Sequence, residues 1–235
     1  QKRALGRVFG VGLLYAIIRH TMPQDDPLAV LFGSMAAVKI LRLFLFNPER
    51  VFGFGDIARR ARLTRRTART ELAMLERAGV IERRYFYETT ATGRKRRALG
   101  FTLSRQFPFR EALRAFLFAT APLSGKTLLA HMRPAGRFDV VVASGVFLGD
   151  VDRRMDTLLV AKKIPEQKVE RAIRGLEAAL GIELKYAFLT TEEFVYRVNM
   201  RERLIRDVFD YPHELLIDRL NIHDTMRGGL DGMLV

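Results

Sequence analysis

The residues of this chain best suited to chemistry are arginines spaced to share one helix face. In the run LTRRTARTELAMLERAGVI (residues 63–81), Ala68, Leu72 and Leu75 recur at i, i+4 and i+7, and Val80 and Ile81 follow beyond Gly79. That spacing predicts a helix over residues 65–78 with one buried stripe. Arg66, Arg69 and Thr70 then point away from the stripe, Arg65 sits on the exposed first turn, and Thr64 precedes it as N-cap. A planar guanidinium can address phosphate oxygens or guanine edges with two parallel hydrogen bonds. A second basic cluster, Arg94, Lys95, Arg96 and Arg97, falls between two stretches rich in β-formers, residues 80–87 and 98–103. Gly93 allows a tight turn there. The expected form is a two-stranded ribbon with its cations near the tip, suited to gripping a phosphate backbone.

Other chemistries find less support. His20, His131, His213 and His223 are scattered without HxH or HExxH spacing, so no metal site is expected. The chain has no cysteine, which excludes a disulfide framework and a thiolate metal centre and fits a cytoplasmic protein. Ser124-Gly125-Lys126-Thr127 resembles the end of a phosphate loop, yet it lacks the upstream glycine and lies in a helical pattern; a helix start is the better reading. No catalytic residue and no cofactor are assigned.

The elements that position the arginines sit in a half of the chain with its own electrostatics. Residues 1–110 hold 22 Lys+Arg against 8 Asp+Glu, whereas residues 111–235 hold 18 of each. All of the formal net charge of +14 therefore lies in the first half, which polyanions attract through counterion release. Within it, Ser34 precedes a dense apolar stretch, residues 35–46, ended by Asn47-Pro48. A second helical segment, residues 56–63 (DIARRARL), follows before Thr64. Helix, helix, capped basic helix and basic hairpin, in that order, resemble the winged helix-turn-helix domains of prokaryotic transcription regulators over residues 34–105. The resemblance implies that the helix after Thr64 reads the major groove while the ribbon clamps phosphates. Ahead of this segment, residues 1–33 read as an N-terminal extension that could be helical. Its apolar run, residues 8–18 (VFGVGLLYAII), is too short to span a bilayer. A helix packing on a partner or an extension outside the fold is expected there, with a membrane or export role as the lesser alternative.

The neutral half begins with a linker, residues 106–122, which contains Pro108 and a short amphipathic helix over residues 110–119. A helix capped by Ser124, strands over residues 138–143, 156–161 and 183–190, a long helix over 166–180 and a largely helical stretch over 192–211 make residues 123–220 a small α/β domain. Residues 221–235, with Gly228, Gly229 and Gly232, read as a tail. The stretch GVFLGDVDRRMDTLLV (residues 145–160) resembles the nucleotidyltransferase fold of small prokaryotic proteins. There a strand ending in Gly-Ser is followed by a strand opening on Asp-x-Asp, and the carboxylates hold two magnesium ions. Gly145 and Asp156 match; Val146 takes the serine position and Arg154 that of the first carboxylate. The third strand, LKYAFL, offers no acid, and a rescue through Asp150 and Asp152 would need a shifted register. The resemblance thus implies a degenerate domain.

The fold expected is α+β, an N-terminal winged helix-turn-helix joined to a small α/β nucleotidyltransferase-like domain. The expected function is sequence-specific binding of double-stranded DNA by a homodimer. The residues expected to carry it are Thr64, Arg65, Arg66, Arg69, Thr70, Arg94, Lys95, Arg96 and Arg97. The second domain would bind a small-molecule or protein effector, and the apolar N-terminal run or the Phe-rich stretch 109–118 would supply the dimer interface. The alternative is a nucleotidyltransferase that holds its substrate with the winged helix; a third reading replaces DNA by RNA or a toxin partner.

Overall fold

The computed structural model describes residues 26–89, 93–150 and 152–222. The architecture is mixed α+β, built around two small sheets. Among the described residues no helix is long and apolar enough to cross a membrane.

The first core grows around one buried helix. Asp26 caps α1 (Pro27–Leu31), and Ser34 caps α2 (Met35–Leu45) by accepting from the Ala37 amide at 2.9 Å. From Ala37 to Leu45 every residue of α2 except Lys39 is buried, the signature of a helix with neighbours on all sides. Strand β1 (Phe52–Gly53) leads into α3 (Phe54–Arg60), and α4 (Arg65–Arg77) lays Ala68, Leu72 and Leu75 on α2. Arg62, at φ +52, makes the turn between them. Strands β2 (Ile81–Thr89) and β3 (Lys95–Leu103) pair antiparallel, and β1 adds to the outer edge of β3. The next helix, α5 (Arg110–Ala119), buries Leu117 completely in this core, together with Leu113 and Phe107.

The second core is a four-stranded sheet ordered β6-β5-β4-β7. Strands β4 (Val140–Ala143) and β5 (Thr157–Val160) are wholly buried, so they read as continuous apolar runs. On one face lie α6 (Gly125–Met132), which Ser124 caps, and α7 (Glu166–Leu180); on the other lie α8 (Thr191–Asn199) and α9 (Arg203–Phe209). Strand β6 (Tyr186–Leu189) runs parallel to β5, and β7 (Glu214–Asp218) runs antiparallel to β4.

Several expectations are corrected. Residues 106–122 are no linker, because α5 belongs to the first core. Part of the expected extension does as well, since Leu28 and Phe32 pack on that core; residues 1–25, with the apolar run 8–18, lie outside the described residues. The stretch expected to be largely helical over 192–211 is so, as α8 and α9, which are separated where Arg201 adopts φ +49. Strands β1 and β7 were not anticipated, and residues 223–235 of the expected tail lie outside the described residues.

The two cores meet where α2 lies against α7. Arg42 of α2 is 3% exposed and donates through Nη1 to the Ala179 carbonyl at 2.9 Å and through Nη2 to the Thr120 carbonyl at 3.0 Å. Both carbonyls lie at helix C-termini, of α7 and α5, where the negative ends of helix dipoles gather. Those dipoles offset the buried charge, and the Asp26 carboxylate adds to them; burial still holds the guanidinium below its ordinary pKa. Asn47 ties the same junction by donating from Nδ2 to the Gly181 carbonyl at 2.9 Å.

Candidate nucleic-acid interface

Helix α4 presents its basic face because of how it starts. Thr64 accepts from the Thr67 amide at 3.1 Å and shares a 2.9 Å hydrogen bond with the Thr67 hydroxyl. Its hydroxyl thereby starts the helix that positions the arginines, and Thr64 itself is exposed. Arg65, Arg66, Arg69 and Thr70 are all exposed. The Arg69 guanidinium lies 5.8 Å from the Phe54 ring centroid, which tethers it toward α3. Thr70 Oγ1 donates back to the Arg66 carbonyl at 3.2 Å.

The ribbon differs from the expectation. Lys95, Arg96 and Arg97 belong to β3 rather than to a loop at the tip, and residues 90–92 lie outside the described residues. Register divides the cations between two faces, because residues directly opposite in an antiparallel pair share a face. Tyr85 faces Leu99, Tyr87 faces Arg97 and Thr89 faces Lys95 on one side; Glu88 faces Arg96 on the other. Arg96 is ion-paired with Glu88. Arg97 stacks over the Tyr85 ring at 3.9 Å. The face with Lys95 and Arg97 is therefore aromatic and cationic together. Lys95 and Arg97 thus lie on the opposite face from Arg96.

Residues beyond the expected set enlarge this surface. Tyr85 and Tyr87 of β2 are exposed on the face of Lys95 and Arg97, Tyr87 at 73%, and Arg84 is exposed on the opposite face. Arg83 pairs with Glu76 of α4 at 2.8 Å, fixing ribbon to helix. The alternation in IERRYFYET carried the signal, for a period of two puts Arg83, Tyr85 and Tyr87 on one face.

The Gly145–Asp156 region does a structural job. Asp156, 1% exposed, accepts from the Val146 amide through Oδ1 at 3.0 Å and from the Lys185 amide through Oδ2 at 2.8 Å. It thereby ties the turn after β4 to the segment entering β6. Burial raises its pKa, and the two amides oppose that rise. Gly145, at φ +52, would bring a methyl group within 2.2 Å of Asp156 Oδ1. Arg154 is exposed, 3.8 Å from Asp207, and Asp150 is held by Arg153 and by the Asp152 amide. Among the described residues no group of three His, Cys, Asp or Glu side chains could hold a metal ion. The Ser144 hydroxyl donates to the Pro212 carbonyl at 3.2 Å.

In the comparisons with known proteins, no family model, no curated protein and no solved structure matches this chain.

Proposed function

We propose that the chain is a sequence-specific, double-stranded-DNA-binding transcription regulator. In this reading residues 34–105 act as a winged helix-turn-helix, and residues 123–220 form a degenerate nucleotidyltransferase-like module that binds a ligand or partner without catalysis. The observation that carries it is the exposed face of α4. Arg65, Arg66 and Arg69 stand there on a rigid, capped helix beside a cationic, aromatic ribbon, in the half of the chain that holds all the net charge. A helix of this kind fits the major groove, and Lys95 and Arg97 would lie along the flanking backbone. The non-catalytic reading of the second module is supported by Asp156, both of whose oxygens are taken by backbone amides, and by Arg154, which puts a cation where a metal ligand is needed. A homodimer pairing over Phe109, Phe116 and Phe118, all exposed, would join two half-sites and multiply specificity. The reading places the protein in the cytoplasm, with its DNA.

The test is a fluorescence-anisotropy titration of the native chain and Arg69→Ala against genomic DNA fragments at two salt concentrations. One fragment should bind well above the rest, and the substitution should reduce that preference. Equal binding to every fragment, fading alike with salt, would reduce the basic half to a non-specific polyanion grip.

A further inference from the structure

We propose that the cavity between α2, α3 and α7 is a binding site for a small anion carrying a phosphate group. The cavity measures about 310 Å³ and lies at the junction of the two cores. Cations reach it from three helices: Lys39 from α2, Arg59 and Arg60 from α3, and Arg174 from α7. Only two carboxylates, Glu177 and Glu183, line it with them.

The commitments of these groups differ. Arg59 and Arg60 pair with Asp56, Arg60 also reaches Glu183 at 3.3 Å, and Arg174 pairs with Glu170 at 2.5 Å. Glu177 accepts from the Leu184 amide at 2.9 Å. Lys39 is half-buried, yet among the described residues it has neither a hydrogen bond nor an ion pair. Burial and the neighbouring Arg62 charge both push its ammonium toward the neutral form. A cation kept in such a place destabilises the empty protein, and an anion entering the cavity relieves that cost.

Phosphate suits the arrangement better than a lone carboxylate. Its oxygens accept hydrogen bonds from several directions, as donors on three separate helices require, and its charge answers Lys39, which among the described residues has no carboxylate partner of its own. The volume exceeds that of bare phosphate, so room remains for an organic group against Leu43 and Ala178. The assignment depends on the junction alone and goes beyond the DNA reading.

The experiment titrates inorganic pyrophosphate into the full-length chain by calorimetry, without DNA, so that its failure and that of the DNA reading are separable. In parallel, NMR follows the ¹³C-dimethyl-lysine signal that Lys39→Arg removes. Saturable one-site binding is expected, with the Lys39 signal titrating at higher pH once pyrophosphate is bound. Lys39→Met should weaken binding at least tenfold, Lys39→Arg should largely retain it, and Lys95→Gln on the ribbon should match the native chain. Should Lys39→Met fail to fold, Arg174→Gln, on an exposed side chain, should weaken binding severalfold. Equal weakening by the cavity and ribbon variants, or a Lys39 signal indifferent to pyrophosphate, overturns the proposal.

Discussion

Gly181→Ala should weaken the protein far more than Gly79→Ala, although both glycines follow a helix with left-handed backbone. Gly79 has φ +71, and a methyl group there would meet nothing within 4 Å. Its replacement costs only the conformational strain of an L side chain in that region, about 1–2 kcal/mol. Gly181, at φ +76, carries the same strain and a collision besides. Its methyl would lie 2.6 Å from the Arg42 carbonyl carbon and 2.7 Å from the Leu43 amide nitrogen. Those are backbone atoms of a buried helix and cannot swing aside. Overpacking of this kind adds about 1–3 kcal/mol. Separating the helices also strains the 2.9 Å hydrogen bond from Asn47 to the Gly181 carbonyl, an interaction worth about 1 kcal/mol. The expected losses are therefore about 3–6 kcal/mol for Gly181→Ala against about 1–2 kcal/mol for Gly79→Ala. Urea unfolding followed by circular dichroism measures both, through the midpoint and slope of each transition. A Gly181→Ala loss no larger than that of Gly79→Ala would refute the seating of α7 on α2.

Substitutions at four further positions probe the basic surface and the buried carboxylate. Thr64→Ala should cost about 1 kcal/mol by removing the cap of α4, with Thr64→Ser near native in the same thermal unfolding assay. With DNA, Arg69→Ala should lower the preference for the selected fragment by about 1–3 kcal/mol. Lys95→Gln should instead weaken all fragments alike and reduce the salt slope by about one; anisotropy at several salt concentrations separates the two patterns. Asp156→Asn tests the burial of that carboxyl through pH. Its folded pKa lies above the ordinary 3.8, so its contribution to stability is fullest below that pH and is lost as pH rises through the folded value. The stability gap between native chain and variant should therefore narrow from pH 4 to pH 7. A gap that widens over that interval would contradict the buried environment.

Local patterns made much of this fold legible. Serine and threonine caps at Ser34, Thr64 and Ser124 stand where the structure starts helices, because capping is a short-range hydrogen bond visible in the residues themselves. The bounds of α5 and α7 match the periodicity for the same reason. What escaped depended on distant partners. Phe52-Gly53 is too short to signal a strand until β3 lies beside it, and β7 exists because β4 has an edge to fill. Lys95, Arg96 and Arg97 read as a loop on composition, yet cross-strand partners Thr89, Glu88 and Tyr87 carry the ladder through them. At the candidate interface, exposure of the arginines was readable from their spacing. The pairing of Arg96 with Glu88 was not, since it depends on register.

Arg42 shows most sharply how the two cores are joined. In sequence it is one of two cations interrupting an apolar run, and Lys39 is the other; both would be assigned to a wet face. Little of that face is wet, because α2 is covered by α4 and α5 of its own core and by α7 of the second. Arg42 meets two helix C-termini that satisfy it in part, leaving only its Nε without a hydrogen bond. Lys39 meets a cavity. The same helix thus supports the packing of α4 on one side and contacts the joint on the other. A group bound at the joint would act on a helix that α4 rests upon. Charge composition divides the chain near residue 110, whereas packing carries the first core on through Leu117 of α5.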